Sequence, residues 1–102
     1  MKRKPAKPAA AAAVRLEGDF TIYRAAELRE QLLRELASGA QRFDLSGIGE
    51  LDSAGVQLLA AVRTSIAGQG GDAVFLAPSS GVREVLALCG LGGWIAAAGA
   101  GA

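Results

Sequence analysis

The chain has 102 residues, enough for one small domain with a single hydrophobic core. Its net charge of +1 conceals an asymmetry, because four basic residues lie in the first seven positions and the remainder carries seven basic against ten acidic residues. A weakly acidic body lacks the basic face that nucleic-acid binding requires, and a chain without histidine excludes Ser-His-Asp and Cys-His catalysis and most zinc sites.

The predicted elements begin after a basic Ala/Pro tail, residues 1–12, which we expect to be disordered. Val14–Leu16 and Phe20–Ile22 alternate apolar and polar residues around a Gly-Asp pair, and this pattern predicts a hairpin of two short strands. Apolar residues at helical spacing then predict a helix from about Arg24 to Ala37.

The segment FDLSGIGELDSAG, residues 43–55, predicts a buried strand, a turn and the start of a second helix that continues to about Ala67. Asp52 is expected to cap this helix. Ser53 then presents its hydroxyl at the helix N-terminus, where unpaired N–H groups and the helix dipole favour an anion such as a phosphate. The second helix is apolar over a wide arc, which predicts burial on more than one side or a face kept for a partner.

The last third of the chain predicts a short apolar strand at residues 73–76, a Pro-Ser turn and a helix that stops at Gly90. Trp94-Ile95 is expected to add a short strand or to pack over the core, and residues 96–102 form a flexible Ala/Gly end. Together these elements predict one α/β domain, residues 13–95, with a mixed sheet of four to five strands and helices packed against it.

The side chains available for chemistry are few. Ser53 has no histidine to act as its base, and the glycines around it do not form a phosphate loop. Asp44 and Asp52 are two carboxylates without further oxygen ligands, a weak pattern for Mg²⁺, and Asp44 is expected instead to hydrogen-bond to the turn. Cys89 lies on the apolar face of the last helix and is expected in the core. We therefore predict a protein that is not an enzyme and has no cofactor or metal site.

The cellular setting follows from the cysteine and from the C-terminal segment. A single cysteine cannot form an internal disulfide, so a reducing cytoplasm is the expected location. Val85–Ala102 is uncharged, but its many glycines and alanines provide too little hydrophobicity for a membrane span. No membrane insertion is expected.

Three segments together make the chain resemble a STAS domain, the family of bacterial anti-sigma factor antagonists: LEGDFTI, FDLSGIGELDSAGVQLL and VFLAPSSGVREVLALCGL. The resemblance spans about Val14 to Leu91 and implies the STAS fold. Ser53 matches the family's phosphoacceptor, and Asp52 matches its acidic neighbour. The partner-binding residues that the resemblance implies are Asp44, Ser46, Asp52, Ser53, Ala54, Gly55, Val56 and Gln57.

The resemblance implies a regulator that binds an anti-sigma factor, itself a serine kinase, until phosphorylation of Ser53 releases it and a PP2C-type phosphatase resets it. Three alternatives stay open: a STAS subunit of a chemotaxis or two-component signalling cluster, a cytoplasmic accessory subunit of a lipid-transport ABC complex, and an interaction module in which Ser53 is only a helix cap. The sequence leaves the oligomeric state undetermined.

Overall fold

The computed structural model describes residues 13–95. Three strands alternate with three helices: β1 (Val14–Phe20), α1 (Ala25–Ala37), β2 (Arg42–Leu51), α2 (Ser53–Gly68), β3 (Val74–Leu76) and α3 (Ser80–Leu88). Short 3₁₀ turns, Ile22–Arg24 and Gly92–Trp94, precede α1 and follow α3. The predictions for the tail at 1–12 and for the end at 96–102 lie outside the described residues.

The sheet has the order β1-β2-β3, and both pairings are parallel. Each strand is connected to the next by a helix, which is the connection that parallel neighbours require. The α/β class is as predicted, whereas the four- to five-stranded mixed sheet is not confirmed, because residues 13–95 contain three strands. Ile95 makes one isolated parallel bridge to Phe75, at the position where the sequence suggested a short strand.

The predicted hairpin before the first helix is wrong. Val14 to Phe20 forms one continuous strand that pairs in parallel with β2, so its hydrogen bonds do not go to a returning strand. Gly18 has φ +91° and lies at a register shift, so it allows an irregularity within β1 where the sequence suggested a turn. The Ile22 N–H bonds to a side chain near α2, which removes it from any second strand.

The core lies between the sheet and the helices, and α1 packs against α2 as well as against the sheet. Phe43, Leu45 and Ile48 are buried, so the prediction of a buried strand in the segment that begins at residue 43 is confirmed. The buried apolar side chains are Leu16, Phe20, Leu28, Leu32, Phe43, Leu45, Ile48, Val56, Leu59, Val62, Ile66, Phe75, Val82 and Leu86.

The end of α3 corrects the prediction for Cys89. Gly90, at φ +77°, stops the helix as expected, and the Leu91 N–H bonds to the Leu86 carbonyl at 2.7 Å. Because α3 ends at Leu88, Cys89 is the C-cap and does not continue the buried stripe. Its side chain is exposed, so its burial was wrongly predicted.

Candidate functional site

The start of α2 is organised by the carboxylate of Asp52, which is the N-cap residue as predicted. One oxygen, Oδ1, accepts the Gly55 N–H at 3.0 Å, and the other, Oδ2, accepts the Ile22 N–H at 3.0 Å. The Asp52 N–H in turn donates to the Phe20 carbonyl at 3.1 Å. One residue therefore joins the end of β1, the turn after it and the first turn of α2.

Ser53 is the first residue of α2, and its side chain is exposed. A hydroxyl at this position is accessible to a modifying enzyme without any opening of the core. The Asp52 carboxylate already accepts one amide of the first turn, so an anion added to Ser53 would share the positive helix end with an existing negative charge.

Gly55 explains the close contact between α2 and β1. It is buried, and a Cβ at this position would overlap the Phe20 carbonyl oxygen and lie 2.7 Å from Leu51 Cδ1. Val56, one residue on, is a core residue. Gly55 and Val56 therefore hold the helix in place, and of the residues predicted in this turn only Ser53 and Gln57 are exposed, with Asp52 and Ala54 half-buried.

Asp44 and Ser46 are not brought together with Ser53. The strand does not end at these residues but continues to Leu51, so Asp44 lies seven residues before the strand end, on the order of 20 Å along β2. The Asp44 carboxylate accepts the Ser46 N–H at 2.8 Å. Asp44 is paired across the sheet with Arg15 and Leu76, away from the start of α2.

The hydrogen bonds at both carboxylates favour the charged form. Two backbone donors, first Ile22 and then Gly55, lower the pKa of Asp52 below its ordinary value of 3.8. Hydrogen bonds from Ser46, with a smaller contribution from Arg15, lower the pKa of Asp44 in the same direction. Each carboxylate therefore stabilises the folded state while it is ionised.

Acidification should remove the stabilisation that these carboxylates provide. Because their folded-state pKa values are depressed, the contribution is present above the ordinary value of 3.8 and is lost as the pH falls through the folded-state pKa. We expect wild type to melt above Asp52→Asn at neutral pH, and the difference to shrink at about pH 3. Circular dichroism melts of both proteins measure it, with Glu84→Gln, an exposed carboxylate on α3, as the control. A difference that does not change with pH would contradict the assignment.

The sequence matches the protein family described as "Mlab, STAS domain" over residues 4–97, which is most of the chain. The chain belongs to the STAS domain family. A solved structure described as the anti-sigma factor antagonist SpoIIAA in its unphosphorylated form is similar to this STAS domain with a TM-score of 0.64 and 24% identity. The similarity covers 79% of this chain and 73% of that chain, and it concerns the fold. No curated protein matches the sequence significantly.

Sequence reasoning missed two exposed residues of this STAS domain, Ile22 and Tyr23. Ile22 was predicted in a strand, but it begins the 3₁₀ turn beside Asp52 and is 61% exposed, and Tyr23 is 94% exposed. One sequence signal could have indicated their exposure. Ile22 and Tyr23 directly precede a helix that already has a full apolar face, so the core does not need them. The proximity of Ile22 to Asp52 could not be seen, because 30 residues separate them in the chain.

Residues 13–95 offer no arrangement for a metal ion, since no group of three or more Asp, Glu or Cys side chains converges there. No helix of this part of the chain is both long enough and apolar enough to cross a bilayer. The recesses between its elements are small or open. One lies between α1 and α2 with a volume of about 200 Å³, and leucine and valine side chains line most of it.

Proposed function

We propose that this STAS domain is a non-catalytic, cytoplasmic regulator that binds a partner protein at the start of α2, and that phosphorylation of Ser53 weakens the binding. The observation that carries the proposal is the exposed Ser53 hydroxyl at the first position of a helix whose N-terminus is anchored by Asp52. A phosphate there changes the charge of the surface without displacing a core residue.

The proposed contact surface contains fewer residues than the eight that the family resemblance implies. Ser53 and Gln57 provide exposed side chains, and Asp52 and Ala54 lie at its half-buried margin. Gly55 and Val56 are buried beneath this surface and hold the helix against the core. Asp44 and Ser46 belong to the contact only for a partner large enough to extend along β2.

The proposed partner is an anti-sigma factor that is also the serine kinase for Ser53, with a PP2C-type phosphatase as the resetting enzyme. The fold similarity to a solved structure described as an anti-sigma factor antagonist supports this choice, whereas family membership is common to this choice and the alternatives. A chemotaxis or other signalling kinase, or the ATPase of a lipid-transport complex, would use the same surface. The identity of the protein that binds therefore decides among the pathways.

The test is the affinity of the purified partner for wild type, Ser53→Ala and Ser53→Asp. The proposal requires Ser53→Asp to bind more weakly than Ser53→Ala. It also requires the partner, or a kinase recovered with it, to transfer phosphate from ATP to Ser53, as read by mass spectrometry. A partner that binds all three proteins equally would leave Ser53 without a regulatory role.

A further inference from the structure

Two large apolar side chains are exposed on the turn that is hydrogen-bonded to Asp52, the residue before Ser53. Tyr23 is 94% exposed and Ile22 is 61% exposed. They lie on a turn that hydrogen bonds hold at both ends: the Ile22 N–H donates to Asp52 Oδ2 at 3.0 Å, and Arg24 Nη1 donates to the Asp19 carbonyl at 2.9 Å. The two side chains are therefore presented from a fixed backbone, which lowers the entropy cost of docking onto them.

Three acidic residues lie on the segments next to this turn, at the end of β1, at the start of α1 and at the end of β2, and we call Asp19, Glu27 and Glu50 the acidic rim. Asp19 Oδ1 accepts the Glu50 N–H at 2.9 Å, so these two residues lie together at the end of the sheet. Glu27 pairs with Arg24 at 3.3 Å and keeps 69% of its side chain exposed. Asp52 accepts the Ile22 N–H, so the residues on and next to this turn include four carboxylates and one guanidinium, that of Arg24.

We propose that Ile22 and Tyr23 are the apolar anchor of the partner interface, and that the partner offers an apolar socket bordered by lysine and arginine. The inference rests on the proposed function in taking a protein to be bound beside Ser53. Aromatic side chains in desolvated pockets dominate binding energies, while rim charges set the orientation and the association rate. In the proposed complex the acidic rim stays in contact with solvent, whereas Ser53 lies next to the desolvated centre of the interface. A phosphate on Ser53 therefore loses hydration when the partner binds.

Charge complementarity selects this occupant over two others. A second copy of the chain would bring one acidic rim against another, and like charges in contact are unfavourable. A nucleic acid would bring phosphates to the same carboxylates, and binding of phosphates needs basic side chains. An apolar socket with a basic border satisfies both features of the surface.

The experiment uses the protein that Ser53→Ala retains from a lysate of the source cells, identified by mass spectrometry and then purified. In the Ser53→Ala background, Tyr23→Ala should weaken its affinity by roughly 30-fold or more, as for an interface hot spot. Tyr23→Phe should bind within about threefold of the parent, since it keeps the ring. Leu88→Ala, at a residue 82% exposed at the end of α3, is the matched control and should change nothing.

Three further variants test the charge of the surface, and melting temperatures test whether the Tyr23 variants fold. Glu27→Lys and Glu50→Lys should each weaken binding, the parent affinity should fall as salt is raised, and Glu84→Lys should have no effect. Melting temperatures of the Tyr23 variants should stay within a couple of degrees of the parent, because the side chain is exposed. The inference is overturned if Ser53→Ala retains no protein whose binding depends on Tyr23. It is also overturned if the partner binds Tyr23→Ala and Leu88→Ala with equal affinity. A partner that needs Tyr23 but ignores the Ser53 substitutions would refute the proposed function alone.

Discussion

Ser53→Asp is expected to bind the partner roughly 30- to 1000-fold more weakly than Ser53→Ala, a difference of ~2–4 kcal/mol. Phosphorylation of Ser53 adds about −1.5 to −2 charges at the same position, and the aspartate imitates part of that charge. The new charge lies beside the Asp52 carboxylate, which already accepts the Gly55 amide. A partner that fits a neutral hydroxyl must then desolvate the added charge or oppose it with a like charge.

Isothermal titration calorimetry of wild type, Ser53→Ala and Ser53→Asp against the purified partner measures this effect. Both variants should melt close to wild type, because a negative charge at a helix N-terminus is tolerated by the fold. Ser65→Asp is the control: the same charge is added to an exposed serine of α2, about 18 Å further along the helix, and affinity should not change. Equal affinities for Ser53→Ala and Ser53→Asp would contradict the switch.

Gly55→Ala is expected to lower the free energy of unfolding by about 1–3 kcal/mol, in the range of overpacked sites. The added methyl group would overlap the carbonyl oxygen of Phe20 and come within 2.8 Å of its Cβ. That carbonyl also accepts the Asp52 N–H, and the Phe20 side chain is in the core, so neither group can move away freely. For a domain of this size, each kcal/mol corresponds to roughly 4–8 °C in melting temperature.

Gly81→Ala is the matched control for this prediction. Gly81 lies in the first turn of α3, as Gly55 lies in that of α2, and a Cβ there would meet nothing within 4 Å. Alanine has the higher helix propensity, so Gly81→Ala should be neutral or stabilising by up to about 1 kcal/mol. Chemical denaturation of both variants provides the comparison. If Gly55→Ala were as stable as Gly81→Ala, α2 would not pack on β1 as described.

The three helices were predictable because their signals are local. Leu28 and Leu32 lie on the buried stripe of α1, Asp52 caps α2, and Gly90 ends α3 with a positive φ. The ends predicted for these helices lie within two residues of the observed ones. Helical periodicity and caps depend on residues a few positions apart, so a single sequence contains them. The motif around Ser53 was found in the same way, since its residues are consecutive.

The path of β1 and the surface around Ser53 depend on contacts that are distant in sequence. A strand pattern does not say which strand is the neighbour, so Gly18 indicated a hairpin where parallel pairing with β2 makes a bulge. The same holds for Asp44, because β2 continues past it to Leu51, where it still pairs with Phe20 of β1.

The sequence by itself determined the α/β class, the helix boundaries and a serine at a helix N-terminus, because hydrogen bonds and burial within each of those elements are local. Only the tertiary structure decided that Asp52 binds the Ile22 amide, that Gly55 admits the Phe20 carbonyl, and that Ile22 and Tyr23 are exposed on the turn next to Asp52. Those three facts depend on the contact between β1 and the start of α2. That contact joins residues some 30 positions apart in the chain, so it is determined by packing in the core and not by local sequence.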